Sequence, residues 1–510
     1  MKMEITAEYI EEPNLIFGGH KEEKDPRLGL DFHGPFTYSD EYEPLSIIKT
    51  GIVGDASCIS KCEKILGLIS KEIPSFEPNK WLYPSFPGMS KNTNFQCEIK
   101  AYDQWKETIT SYEKNALIKV VNVNERISEA SDLFVSKVKA IMQEDNYPAV
   151  IICCLPHEIE QYCGISEYTR GAKTVKPTEI ERKVAEFEKN NQKFLSDFGV
   201  EVKSISPKRK AFDLRNSLKG KIMQLNPAVP IQILKESTMN AILDYDYNGK
   251  NLRQEPASFA WNFATALYYK SNGKPWRLAK LRQDTCYIGI SFYQDKNSYN
   301  KDMQTSMAQV FTHNGEGLVL RGEEVYVNEF TKEPHLSESQ SKELVSKALI
   351  EYQNKSKRPP VRVVIHKETL FNQSEENGCK DAIGNISTDL VTINKRKNIK
   401  ILRAGSYPVL RGTLIHLNQH EHLLYTSGYT PRIRTYPGSS IPQPLFITHY
   451  GDSNIQEICK EIIGLTKLNW NTTSFSTSYP ITLEFSSKVG KILSELPKEQ
   501  TSQNHYRFYM

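Results

Sequence analysis

A chain of 510 residues, 39% apolar and 25% charged, has the makings of an ordinary soluble protein of two to four domains with sizeable buried cores. A formal net charge of +4 is too small to mark the chain as a nucleic-acid binder by itself, although a local basic channel fits inside it. Nine cysteines, an odd number with no CxxC pair, argue against a disulfide framework or zinc knuckle and for a reducing, cytoplasmic setting. The acidic N-terminus has no signal-peptide core, and no run approaches the ~20 apolar residues of a membrane span.

In chain order, residues 1–115 read as short strands and turns. A Gly-Gly turn follows Ile16-Phe17, DPRLGLDFHGPF mixes turn and apolar residues, and a helix covers Ser57 to Ser70. From about Asn115 the pattern alternates. NALIKVVNV reads as a strand and Ser128 to Gln143 as an amphipathic helix. The apolar run YPAVIICCLP then suits a buried parallel strand. Helix 179–195, strand VEVKSIS, helix Asp213 to Gln224, strand VPIQILK and helix Ser258 to Lys270 complete a doubly wound α/β unit. Beyond Asp284 come the strand TCYIGISFYQD, a hairpin about His313-Asn314-Gly315 and a helix from Ser339 to Asn354. The strands VRVVIHKETL, IKILRAG, GTLIHLNQ and HLLYTSG and a final helix from Leu483 to Leu496 follow. Strands first and helices mixed in later suit an RNase H-like layout.

The strongest chemical signal lies between Arg215 and Lys270. Arg215 and Lys219, four apart, share a helix face; Gln232 sits in a strand-to-loop segment; Lys270 ends a helix. Two cations, an amide and a further cation are suited to one terminal phosphate, with guanidinium gripping bidentately and lysine supplying point charge. A solvated basic helix face, with a helix-terminal lysine satisfying the dipole, is the competing reading of the same spacing.

Basic residues four apart, a later VPxQ segment and a helix running into K-x-x-G-K-P-W resemble the MID domain and MID–PIWI junction of Argonautes. KPWRLAKLRQDTCYIGISFYQD, GYTPRIRTYPGSSIPQPLFI and SFSTSYPITLEFSSKVGKIL resemble PIWI segments, and DPRLGLDFHGPF the opening of short prokaryotic Argonautes. The resemblance covers roughly residues 10 to 510. It implies a Rossmann-like MID domain (116–284) and an RNase H-like PIWI domain (285–510), with a β-rich N-terminal segment (1–115) packing on them. It also implies that Arg215, Lys219, Gln232 and Lys270 hold the 5′ phosphate of a guide strand. Arg215 stands where many members have a stacking Tyr or His. In bacterial relatives the terminal carboxylate shares a Mg²⁺ with that phosphate, which assigns Met510 to the metal, the aromatic tail Tyr506, Phe508 and Tyr509 serving as its anchor.

The same resemblance predicts no cleavage. Two-metal hydrolysis needs several carboxylates. The positions of the family's ligands read Ser291, His366-Lys367 and Thr482 to Phe485, including Glu484. Displaced acids, Asp295 and Glu368, are the alternative for a guide-directed nuclease. Arg403, Arg411, Arg432 and Arg434 are expected to flank a guide–target duplex through sequence-independent backbone contacts. The implied partners are a small guide RNA, a complementary single-stranded DNA target and an APAZ-containing effector with a TIR, sirtuin-like or nuclease domain. Such a chain would act in prokaryotic defence against plasmids or phage, and with the first two effectors the output is NAD⁺ loss. A non-catalytic α/β scaffold remains the other alternative. His416, His420 and His422 read as hydrogen-bonding histidines rather than a zinc site, and Cys58 and Cys62 as buried thiols. GIVGD lacks the GK[ST] ending of a phosphate loop.

Overall fold

The computed structural model describes residues 6–36, 44–165, 176–179, 182, 211–246, 255–282, 284–294, 303–312, 315–327, 330–395, 399–438, 440–497 and 503–510. Two large sheets organise them. The first is four-stranded and wholly parallel, in the spatial order Glu98–Thr108, Ile47–Gly54, Val150–Leu155, Ile231–Lys235. Its side chains alternate between two cores, as the pleat requires. Ile52, Ile152, Cys154 and Leu234 enter one, and Val53, Ile151, Cys153 and Ile231 the other. Helix Ala56–Ile69 covers the first face, and helices Val123–Met142 and Leu214–Met223 the second. This is the doubly wound arrangement expected of a parallel sheet buried on both sides.

Two of those strands come from the stretch assigned to an N-terminal segment, so the boundary expected at 115/116 falls inside the unit this sheet builds. Two reasons explain the difference. IIKTGIVG is a short apolar run interrupted by Lys49, and EIKAYDQWKET is an edge strand with a largely polar pattern. NALIKVVNV, expected as a strand, forms the end of helix Ser111–Ile118 instead. A capping box decides it: Glu113 N–H donates to Thr110 Oγ1 (3.2 Å) and Thr110 N–H to Glu113 Oε2 (2.7 Å). The expected helix 179–195 and strand VEVKSIS lie, apart from a few positions, outside the described residues.

The second sheet has nine strands in the order Thr6–Tyr9, Thr413–His416, Glu421–Leu424, Leu445–Gly451, Ser387–Lys395, Arg362–Lys367, Thr285–Tyr293, Met303–Phe311, Gly317–Tyr326. Its central trio, from Ser387–Lys395 to Thr285–Tyr293, is parallel and its flanks antiparallel. IKILRAG, expected as a strand, pairs with no sheet. The final helix is broken into Ile481–Glu484 and Ser486–Leu493. The N-terminal segment joins both ends of the fold. Thr6–Tyr9 pairs with Thr413–His416, and Leu15–Ile16 pairs with Arg277–Leu278 just after the first unit.

A buried charge cluster ties the central trio together. Arg362 donates from Nε to Asp389 (2.8 Å) and from Nη1 and Nη2 to Glu461 (2.6 and 3.1 Å), while Asp389 also bonds His449 and Ser453. Among the described residues no helix is long and apolar enough to cross a membrane.

Candidate nucleic-acid interface

Helix Leu214–Met223 starts where the Asp213 carboxylate accepts the Asn216 N–H (3.1 Å). It lies hard against the second unit: a Cβ on Gly220 would meet Leu496 Cδ2 at 2.7 Å. Four residues apart on this helix, Arg215 and Lys219 face a pocket of about 290 Å³. Gln232, on the last strand of the parallel sheet, and Lys270, at the end of helix Pro256–Lys270, face the same pocket, with Asn471 and Met510. The four residues that the resemblance assigns to one phosphate therefore converge from three separate elements.

Their contacts are specific. Lys270 Nζ donates to Gln232 Oε1 at 2.5 Å. Lys219 Nζ donates to the main-chain oxygens of Tyr509, at 3.2 Å, and Met510. Lys219 and Lys270 are 2% and 1% exposed. Burial, then mutual repulsion among Lys219, Lys270 and Arg215, pushes the Lys219 ammonium well below its ordinary range. Burial and Arg215 bring Lys270 down to about 7. Two buried lysines held among like charges, with no acidic side chain among the described lining residues, form a pocket with an excess of positive charge.

The tail that contributes Met510 is packed. Val319 N–H donates to Asn504 O (2.8 Å), and the Tyr506 ring meets Phe311 and Phe485 edge-on at 5.5 and 5.1 Å. The pocket does not suit the expected Mg²⁺. Among its described lining residues the charged side chains are Arg215, Lys219, Lys235 and Lys270 and none is acidic, and the Lys219 ammonium already occupies the Met510 oxygen. A hard divalent cation takes carboxylate, carbonyl and water oxygens, and four cations would oppose it.

The positions read as degenerate nuclease ligands also come together. Ser291 ends the run Gly289-Ile290-Ser291 on one parallel strand, and His366 pairs in register with Gly289 from the next. A Cβ on Gly289 would lie 2.0 Å from Thr482 O, so the backbone of the broken helix sits directly on the sheet. His366 is fully buried, its Nδ1 2.8 Å from Thr482 Oγ1. Burial, reinforced by Arg362, lowers its pKa to about 3, so the imidazole is neutral. Lys367 is turned to Glu375 and packs on Phe292 and Phe371. Beside these, a cavity of about 370 Å³ has Ser291 and Glu368 in its wall, and Glu368 is the only acid among its described lining residues. Glu484 is not part of that wall, and Asp295 lies outside the described residues.

The four groove arginines divide. Arg403 stacks over Tyr429 (5.9 Å), and Arg432 and Arg434 stack over Trp81 (5.4 and 4.7 Å), Arg432 also pairing with Glu23 at 2.9 Å. Arg411 corrects the expectation. It is 2% exposed and bonded to both Glu12 oxygens, Thr426 O, Ile463 O and Thr466 Oγ1, so it is buried in the fold instead of presented to a duplex. Nothing in the local sequence distinguishes it from its neighbours; only the return of Glu12 from 399 residues away does. Among the histidines, His416 and His422 face each other through Nδ1 at 3.0 Å, His416 Nε2 meets Glu8 at 2.8 Å, and His420 stacks on Tyr450. Sequence reasoning missed Trp81, under Arg432 and Arg434, and Arg27, bonded to Thr473, each far along the chain from those partners.

The Clostridium butyricum Argonaute bound to a guide DNA and a 19-mer target DNA superposes over 98% of this chain with a TM-score of 0.60 at 15% identity. The chain has an Argonaute-like fold. Drosophila Piwi (TM-score 0.57, 12% identity, 99% of this chain) and the Marinitoga piezophila Argonaute in complex with a 5′-hydroxyl guide RNA (0.54, 13%, 99%) agree. This Argonaute-like chain spans 54%, 56% and 59% of those three chains. An Argonaute of Cereibacter sphaeroides is 22% identical over 275 residues, covering 48% of this chain and 34% of the relative. No family model matches the sequence.

Proposed function

We propose that this chain binds a guide strand by its 5′ phosphate, displays it for pairing with a complementary target, and does not cut that target. The observation that carries the reading is the pocket formed by Arg215, Lys219, Gln232 and Lys270, two of whose cations are buried with no acidic side chain among the described lining residues. A terminal phosphate supplies the missing charge. Gln232 orients Lys270, and the guanidinium of Arg215 stands at the mouth, shared with an adjoining pocket of about 320 Å³. The Argonautes with which the fold agrees include ones bound to guide DNA, guide RNA and target DNA. An RNA guide and a DNA target are the pairing we assign. Neutralisation falls to the lysines, in place of a metal.

The absence of cutting rests on side chains that replace carboxylates: Ser291, the neutral His366 and the Thr482 contact leave Glu368 as the sole acid at that cavity. Recognition would then be read out by a separate effector chain carrying an APAZ region with a TIR, sirtuin-like or nuclease domain, in cytoplasmic defence against plasmid or phage DNA. Such an effector responds only if the guide–target duplex binds its two states unequally. Guide alone should leave it silent, and guide with matched target should switch it on; equal activity without target removes this step.

The direct test compares 5′-phosphorylated with 5′-hydroxyl single strands by fluorescence anisotropy. A preference of about tenfold or more for the phosphate is expected from charge-assisted bonds. Changing Arg215, Lys219 and Lys270 to Ala should erase the preference while melting temperature confirms folding. Equal affinity of the wild type for both strands rejects the reading.

A further inference from the structure

Arg27 has a guanidinium 8% exposed that makes no ion pair among the described residues. Its Nε donates to Thr473 Oγ1 at 3.0 Å and its Nη1 to Leu82 O at 2.7 Å, both neutral acceptors. Asp25 and Glu255 act on it only through space. Asp25 Oδ1 accepts the N–H groups of Arg27 and Leu28 as a helix cap, and Glu255 accepts Phe76 N–H and Ser258 Oγ. A buried cation left in this state is costly unless something supplies negative charge.

Arg27 borders a cavity of about 370 Å³, within the range of small-ligand pockets. The wall around it is rich in hydroxyls, including those of Tyr83, Ser427, Tyr436 and Ser476. Asp25 and Arg411 also reach the cavity, the first with Oδ1 capping the helix and the second bonded to Glu12. A guanidinium ringed by hydroxyls, with no carboxylate bonded to it among the described residues, is the chemistry that holds a tetrahedral phosphate oxygen set.

We infer that this cavity, formed where the N-terminal segment, the 73–95 stretch and the 427–438 and 473–478 loops meet, is a second phosphate site, centred on Arg27. It is separate from the pocket of Arg215, Lys219, Gln232 and Lys270. One chain segment joins the two: Asn471 lines the first pocket and Thr473 the second, a reach of at most ~7 Å along the backbone. Asn262 fixes that segment to the helix ending at Lys270, its Oδ1 accepting Thr473 N–H (2.8 Å) and the hydroxyls of Thr472 and Thr473 (both 3.1 Å). A strand anchored at its end in the first pocket and running along this segment brings an internal phosphodiester to Arg27. That source rests on the proposed function; a free phosphate ion as occupant does not.

Three measurements on the full chain separate the cases, using wild type, Arg27→Gln and Arg27→Lys. Single neutral methylphosphonate linkages are walked through the first eight positions of a 5′-phosphorylated strand. One internal position is expected to cost wild type about tenfold in affinity and Arg27→Gln nothing, with Arg27→Lys between them. The second measurement is the melting temperature with inorganic phosphate. A rise in wild type that Arg27→Gln lacks, with no sensitive linkage, assigns the site to a free anion. The third is the melting temperature of the strand-free protein, which Arg27→Gln should hold or raise, because an unpaired buried charge is gone. The inference is overturned if Arg27→Gln lowers that melting temperature while phosphate response and linkage sensitivity match wild type. Loss of the 5′-phosphate preference, with the phosphate response at Arg27 intact, rejects the proposed function and leaves this site standing.

Discussion

Lys270 and Gln232 meet at 2.5 Å across the gap between a helix end and a strand, with the ammonium donating to the amide oxygen. The pair fixes a cation that is otherwise surrounded by Arg215 and Cys153. Gln232→Leu keeps the volume and removes the acceptor. It should cost about 1–3 kcal/mol of stability, read by urea denaturation, and weaken strand binding in parallel. An unchanged denaturation midpoint would mean that Lys270 finds another acceptor.

Binding should depend on pH with an optimum near neutrality. Without a ligand, Lys270 is held down to about 7 by burial and Arg215. A bound phosphate raises that value, so binding takes up a proton: affinity is full below about 7 and falls as pH rises above it. A phosphate monoester loses its second charge below about pH 6, which weakens binding on the acid side. Anisotropy titrations across this range should trace a bell for 5′-phosphorylated strands and a flat line for 5′-hydroxyl strands. Lys270→Arg should remove the alkaline limb.

Chelation should not release the strand. Among its described lining residues the pocket presents lysines and no acidic side chain to the phosphate. Affinity for a 5′-phosphorylated strand is expected to agree within about twofold in excess EDTA and in millimolar Mg²⁺ at matched ionic strength, since only screening differs. A tenfold loss in EDTA would restore the metal to this site.

The chain should not cut a paired target with Mg²⁺ or Mn²⁺, and Ser291→Asp alone should not change that. His366 remains neutral, buried and bonded to Thr482, so a single new carboxylate faces no second ligand set. Denaturing gels of labelled target give the answer, and specific scission by the wild type would reinstate Glu368 or Asp295 as ligands.

Arg362→Met should be among the most destabilising single changes in the second unit. It leaves Asp389 and Glu461 buried without their shared cation, a loss of about 3–5 kcal/mol. Arg362 holds the Asp389 carboxyl well below the usual range, as do His449 and Ser453. The variant should therefore also lose its remaining stability at higher pH than wild type during acid titration followed by circular dichroism.

Local pattern and capping chemistry were readable wherever one element carried the whole signal. The apolar run at Val150–Leu155, the amphipathic helix within Val123–Met142 and the i, i+4 pair Arg215 and Lys219 required no partner to be recognised. Asp25-Pro26 was equally readable as a cap followed by proline, although its helix, Pro26–His33, was passed over for its turn residues. The convergence of Arg215, Lys219, Gln232 and Lys270 was expected from resemblance, not spacing, because three elements separated along the chain had to be folded first. Tertiary structure alone decided the rest. Strand Ile47–Gly54 belongs to the first sheet because hydrogen bonds to Glu98–Thr108 and Val150–Leu155 complete its backbone. Arg411 is a buried strut while Arg434 is a surface cation because Glu12 returns to one and not the other. Sequence sets what each segment can bury and what each side chain can donate. Which groups meet depends on long-range closure, where burial and charge are decided together.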